Sequence, residues 1–147
     1  MPIPRTVLML SAHPRGTAPL RLDEELREVK EGLTKRSKLR DNFTLVSEHA
    51  VRTRDVHRAL LDSKPYILHF SGHGTGAKGL LLEDEVGDGK AVSGEAIAQL
   101  LALFKDSLQC VVLNACYSEV QAKAIHEHIP FIIGMNHVCL SNLETKR

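Results

Sequence analysis

Two short segments of the chain carry side chains that can act together in nucleophilic catalysis. Residues 69–74 read His-Phe-Ser-Gly-His-Gly, and residues 113–118 read Leu-Asn-Ala-Cys-Tyr-Ser. Each follows a run of apolar residues that is typical of a buried parallel strand. Because side chains just past neighbouring strand ends meet in one crevice of an open α/β sheet, we expect a histidine and a cysteine to lie close together there.

Cys116 is the expected nucleophile, and His73 is its expected general base. Cys116 stands between a strand end and a helix that Ser118 is predicted to cap, where backbone N–H groups and the helix dipole favour a thiolate. Gly72 and Gly74 allow a sharp turn around the imidazole. The backbone N–H groups of Gly74 and Cys116 are predicted to form an oxyanion hole. No third catalytic residue is evident, so the prediction is a dyad.

The same residues have other interpretations. Cysteines outside disulfides often pack as small hydrophobic residues, so Cys116 could belong to the core. His69 and His73 could instead form a metal site with Cys116, or with His126 and His128, although structural zinc sites have more closely spaced ligands. The glycines around His73 match a phosphate-binding loop only weakly, because the lysine and the Ser/Thr of that motif are missing.

Strand patterns alternate with helix patterns along the chain, which predicts an α/β fold with a mostly parallel sheet. The predicted strands are residues 7–11, 43–47, 66–70, 110–113 and 131–135. The helices between them are predicted from apolar stripes at helical spacing. The inward residues predicted for the first and the last helix are Leu22, Leu26, Val29 and Leu33, and Val120, Ala124 and Ile125.

Composition excludes several classes of protein. The 147 residues fit one domain, and 43% hydrophobic with 25% charged residues is ordinary for a globular protein with a core. A net charge of +1 does not indicate a nucleic-acid or membrane binder. No apolar run approaches the roughly 20 residues of a membrane helix. Three cysteines without close spacing argue against a disulfide framework and predict a reducing cytoplasm.

The chain resembles the CHAT domain family, a bacterial branch of the caspase-like cysteine peptidases. The resemblance covers about residues 6–136 and rests on several motifs. Residues 7–14 are similar to the family's first strand and loop, and residues 20–25 to its first-helix signature. Residues 65–74 match its histidine motif, residues 111–118 its cysteine motif, and residues 133–135 its fifth strand.

The resemblance implies a function and roles for individual residues. His73 and Cys116 fall on the catalytic dyad, in the caspase chain order, and Gly74 falls where the oxyanion hole is completed. Asn114 falls where caspases place a residue that lines the first specificity pocket, so it is an expected substrate-binding residue. Asn114 is not acidic, so it gives no argument for cleavage after Lys or Arg. The implied substrate is a protein or peptide, and no metal or cofactor is implied.

The resemblance also implies a caspase-like three-layer αβα sandwich with about five strands. We expect a CHAT domain over residues 1–136 and an irregular tail over residues 137–147, where the family usually continues with a further helix and a sixth strand. The fifth strand would then be an open edge, which predicts self-association or a partner protein that pairs with it. Two alternatives to a peptidase are a catalytically inactive, truncated interaction module and a metal-binding protein.

Overall fold

The computed structural model describes residues 3–18, 20–33 and 40–135, in which strands and helices alternate. In chain order the elements are β1 (Arg5–Ser11), α1 (Leu22–Glu31), β2 (Phe43–Glu48), α2 (Thr53–Ser63), β3 (Ile67–Ser71), β4 (Leu80–Glu83), β5 (Gly89–Val92), α3 (Gly94–Ala102), β6 (Cys110–Asn114), α4 (Glu119–His126) and β7 (Phe131–Ile133).

Five strands form one sheet in the order β2-β1-β3-β6-β7, and every neighbouring pair is parallel. The strands β4 and β5 form a separate antiparallel hairpin after the histidine segment. The predicted α/β class with a parallel sheet of five strands is therefore confirmed.

The direction of the crossovers places helices on both faces of the sheet. Parallel strands are joined almost always by right-handed crossovers. The connection from β1 to β2 moves one way across the sheet, whereas those to β3, β6 and β7 move the other way. Helix α1 therefore covers one face, and α2, α3 and α4 cover the opposite one, which gives the predicted three-layer sandwich.

The face with three helices holds the core. Successive side chains of a strand point to opposite faces, so Leu68 and Phe70 of β3 point one way and His69 and Ser71 the other. The buried cluster joins these apolar strand residues to apolar residues of the three helices: Leu8, Leu10, Leu68, Phe70, Leu113, Leu60, Leu101 and Ile125. Helix α1 has no fully buried residue, and its predicted stripe of Leu22, Leu26, Val29 and Leu33 is half-buried.

Helix α4 differs from the prediction in the face that it buries. Gln121, Ala122 and Ile125 are buried, while Val120 is 52% exposed, so the expected inward position of Val120 is wrong. The Gln121 side chain donates a 2.5 Å hydrogen bond to the carbonyl oxygen of Gly76. This polar contact turns the helix toward the histidine segment, which a pattern of apolar residues alone does not reveal.

The start of α4 and the end of β7 are joined by hydrogen bonds. Ser118 precedes the helix as predicted, but its hydroxyl does not cap the helix. It accepts a 2.9 Å bond from the Met135 N–H and donates to the Leu113 carbonyl oxygen, while the Glu119 N–H donates to the Met135 carbonyl oxygen. The backbone at Met135 is thereby drawn toward α4, so β7 ends at Ile133 rather than at the predicted residue 135.

Strand β7 lies at one edge of the sheet as far as the described residues extend. The predicted tail over residues 137–147 lies outside the described residues, so the structure does not test this prediction. Among the helices of the described ranges, none has the length and apolar character needed to cross a membrane.

Candidate functional site

The histidine segment follows β3 and is fixed by its own backbone. The Gly72 N–H donates to the Asn114 carbonyl oxygen at 3.2 Å, which extends the pairing of β3 and β6 by one step. The His73 carbonyl oxygen then accepts from the Leu81 N–H of the hairpin at 2.9 Å. His73 is held between the sheet and the β4–β5 hairpin, with its side chain partly buried.

The cysteine segment makes a sharp turn between β6 and α4. Cys116 is partly buried, and the next residue, Tyr117, has a φ of 53°, in the left-handed region that residues with a side chain rarely adopt. Such a conformation costs of order 1–3 kcal/mol and often occurs at functional sites. The turn lets the chain reverse from the strand end into α4 within a few residues, which places Cys116 next to the helix N-terminus as predicted.

The two segments are in direct backbone contact. Gly74 packs so closely on Cys116 that a Cβ at position 74 would overlap the Cys116 carbonyl oxygen. Only glycine fits this position without moving one of the two segments. The structure therefore brings the loop of His73 against the turn of Cys116.

The surroundings of His73 favour its neutral form. Burial lowers its pKa from the ordinary value, and the nearby His13 adds to this effect; a hydrogen bond with the backbone of Ala18 acts in the opposite direction. The rings of His13 and His73 lie 5.8 Å apart between centroids. The buried Nε2 atom of His73 has no hydrogen-bond partner in the described part of the chain. A neutral imidazole with an available ring nitrogen is what a general base requires.

Asn114, the last residue of β6, is bound to a carboxylate that the sequence analysis missed. Its Nδ2 donates to Oε1 of Glu25 at 2.7 Å, and the same oxygen accepts from Oγ of Ser71 at 2.8 Å. Nε2 of His69 lies 2.8 Å from that oxygen as well. His69 therefore faces the carboxylate of α1.

Glu25 is held in its ionised form by these neighbours. Burial alone would raise its pKa, but the contacts from His69, Asn114 and Ser71 outweigh burial and bring the pKa below the ordinary value. The sequence did contain a signal for this role. Glu25 lies three residues after Leu22 and four before Val29, so it occupies the apolar stripe of α1, where a carboxylate needs donors.

The metal-site interpretation finds no support in the described residues. In residues 3–18, 20–33 and 40–135, no group of three His, Cys, Asp or Glu side chains could hold a metal ion together. His126 and His128 are exposed at the end of α4.

The comparison with family models identifies one family. The family model of the CHAT domain matches residues 8–131. A protein of Gillisia limnaea described as "Probable protease" is 32% identical over 137 residues, which are 91% of this chain and 24% of that protein. A "Roc-COR-CHAT protease" of an unknown prokaryote is 23% identical over 137 residues, which are 88% of this chain and 13% of that protein. The chain thus spans about a quarter or less of these relatives.

A solved structure supports the fold. The crystal structure of Chaetomium thermophilum Raptor matches with a TM-score of 0.52 and 10% sequence identity, over 85% of this chain and 13% of that one. At this identity the match concerns the fold alone.

Proposed function

The chain belongs to the CHAT domain family, and on this premise we propose that it is a cysteine endopeptidase, in which Cys116 and His73 form the catalytic dyad. Two relatives with protease in their names support peptide-bond hydrolysis as the reaction class. The observation that carries the assignment to these residues is the backbone contact between Gly74 and Cys116, which holds the two segments together.

In the proposed reaction, Nε2 of His73 accepts the thiol proton of Cys116, and the thiolate sulfur attacks the carbonyl carbon of the substrate. The carbonyl oxygen becomes an oxyanion, which the N–H groups of Gly74 and Cys116 stabilise. The His73 imidazolium then gives its proton to the leaving amine as the C–N bond breaks. Water, deprotonated by His73, hydrolyses the resulting thioester and restores the thiol.

The electrostatics of His73 suit both proton transfers. A lowered pKa keeps the imidazole neutral, and therefore basic, at neutral pH. The same lowered pKa makes the imidazolium a better acid when the amine leaves. Asn114 is proposed to contact the substrate residue before the cut, from its place two residues before Cys116.

Thiol labelling tests the dyad. We expect iodoacetamide to label Cys116 at pH 7 at least about tenfold faster than Cys110, whose pKa is raised by burial. His73→Ala should remove most of this difference, and His57→Ala, which changes a histidine of α2, serves as the matched control. Equal labelling of Cys116 and Cys110 in the native protein, or labelling that ignores His73→Ala, would contradict the proposal.

A second candidate function is that of an interaction module without catalysis. It is favoured by one observation, the exposure of Phe131 by 67% and of Ile133 by 60% on the edge strand β7. Apolar edge strands pair readily with other chains. The labelling experiment separates the two functions, since an interaction module needs no reactive thiol at position 116.

A further inference from the structure

One oxygen atom of helix α1 joins the ends of the two strands that lead into the proposed dyad. Oε1 of Glu25 accepts hydrogen bonds from Ser71, which ends β3, and from Asn114, which ends β6. Both bonds are short, at 2.8 and 2.7 Å, and both end on a carboxylate that its surroundings keep ionised. Hydrogen bonds to ionised groups are roughly twice as strong as those between neutral groups.

The position of this junction relates directly to the dyad. Ser71 and Asn114 are opposite each other in the register of β3 and β6. Each stands two residues before a member of the proposed pair, Ser71 before His73 and Asn114 before Cys116. Beyond the backbone bond from Gly72 to Asn114 the regular pairing of the two strands ends, so Glu25 binds the strands at their last paired residues.

Glu25 is also well placed to resist movement. Its side chain is only 23% exposed, and α1 carries it across the sheet face that is opposite the main core. Backbone hydrogen bonds also join the two strand ends, and the Glu25 carboxylate adds side-chain hydrogen bonds to both on this face. Loss of the carboxylate would leave the donors of Ser71 and Asn114 without their acceptor, which is unfavourable for groups shielded from water.

We propose that Glu25 is a positioning residue of the peptidase, which holds the ends of β3 and β6 together and so keeps His73 within proton-transfer reach of Cys116. This proposal rests on the proposed function. A displacement of about 1 Å can cost a hundredfold in rate when groups must be aligned, so a tie at the strand ends has a large effect on catalysis.

Whether a change at Glu25 speeds or slows the labelling of Cys116 separates a positioning role from a purely electrostatic one. Removing a negative charge near Cys116 would, through charge alone, make the thiolate easier to form and labelling faster. Removing the tie between the strands would make labelling slower, because the thiol would lose contact with its base. Glu25→Gln removes the charge and leaves a neutral amide oxygen as the acceptor for Ser71 and Asn114, so it weakens the tie and changes the charge in one variant.

The experiment measures iodoacetamide labelling of Cys116 between pH 5 and 9, at a temperature where thermal melts show each variant folded. We expect Glu25→Gln to slow labelling at pH 7 about tenfold and to shift the pH profile toward that of His73→Ala. In the His73→Ala background, Glu25→Gln should have little further effect. The matched control is Glu24→Gln, because the Glu24 carboxylate on the same helix pairs at 3.0 Å with the exposed side chain of Arg21, which directly precedes the helix.

Other outcomes overturn the proposal in distinct ways. If Glu25→Gln labels as fast as wild type or faster while His73→Ala is slow, the dyad stands and the positioning role is wrong. If His73→Ala has no effect, both the proposed function and this inference are wrong. Should Glu25→Gln fail to fold, Ser71→Ala cuts only the link to β3, and we expect a threefold or greater loss of labelling rate; an unchanged rate would again overturn the proposal.

Discussion

At the level of single residues, the proposed dyad depends on the protonation of the His73 imidazole. Its imidazole is partly buried, has His13 beside it, and presents an Nε2 atom that has no hydrogen-bond partner among the described residues. Burial and the neighbouring His13 lower the pKa of His73, which keeps the imidazole neutral at neutral pH. Both features prepare the ring to take a proton from a thiol.

His13→Ala is expected to raise the pKa of His73, because it removes a neighbouring group that disfavours the imidazolium. The neutral base is present above the folded-state pKa, which lies below 6.5 in the wild type. As the pH falls, Cys116 of the wild type should therefore stay reactive to below pH 6.5, whereas the variant should lose this reactivity at a higher pH than the wild type does. NMR titration of the His73 ring measures the pKa directly. His57→Ala is the control, and an unchanged or lower His73 pKa in His13→Ala would contradict the account.

The position of Glu25 could be predicted from the sequence only in part. His73 and Cys116 could be singled out because glycines and apolar runs surround them. Glu25 is one of three acidic residues in the first turn of α1, and nothing in their types distinguishes it from Asp23 or Glu24. Its position in the apolar stripe of α1 indicates that Glu25 faces the sheet, but its partners Ser71 and Asn114 follow from the register of α1 against the sheet, which tertiary packing sets.

At the level of elements, the loop of His73 and the turn of Cys116 make the proposed site. The parallel strands could be predicted because their apolar runs are distinct and glycine or proline residues separate them. The buried face of α4 could not, because the Gln121 bond to Gly76 and the backbone bonds of Met135 set its orientation. Long-range polar contacts of this kind leave no periodic trace in the sequence.

Gly74→Ala tests the contact between the two loops. The added methyl group would overlap the Cys116 carbonyl oxygen, so one loop must move away. We expect a loss of about 1–3 kcal/mol in the free energy of unfolding and at least tenfold slower labelling of Cys116. Urea unfolding and iodoacetamide labelling measure the two effects.

Gly32→Ala is the matched control for that variant. Gly32 has right-handed helical angles at the end of α1 and open space where its Cβ would lie, so this change should leave both measurements close to wild type. If Gly74→Ala also labels like the wild type, the close approach of the loops is not needed for the reactivity of Cys116.

At the scale of the whole molecule, the edge strand β7 is the main surface feature. Phe131 and Ile133 are exposed, and they pair in register with Cys110 and Val112 of β6, so their side chains share the sheet face that α1 covers only in part. The sequence predicted an edge strand at residues 131–135, and the structure places β7 at the edge in the described part of the sheet.

Association through this edge is a prediction for the chain as a whole. If β7 pairs with a second chain, sedimentation should show a dimer that Phe131→Lys abolishes, since charged residues on an edge strand discourage pairing. Leu103→Lys, at an apolar residue that is 74% exposed beyond the end of α3, is the control and should not change the mass. A dimer that survives Phe131→Lys would show that the contact lies elsewhere, and a wild-type monomer would show that the edge does not self-associate.

Cleavage of a peptide library, read by mass spectrometry of the new amino termini, tests the central claim most directly. The account predicts that the wild-type chain cuts peptides at a consistent residue, that Cys116→Ala and His73→Ala abolish cutting, and that Cys110→Ser does not. It also predicts an acyl-enzyme adduct on Cys116 when a slowly hydrolysed substrate is used. Cleavage that persists in Cys116→Ala, or a wild-type chain that labels rapidly at Cys116 and cuts no peptide, would contradict the assignment as a cysteine endopeptidase.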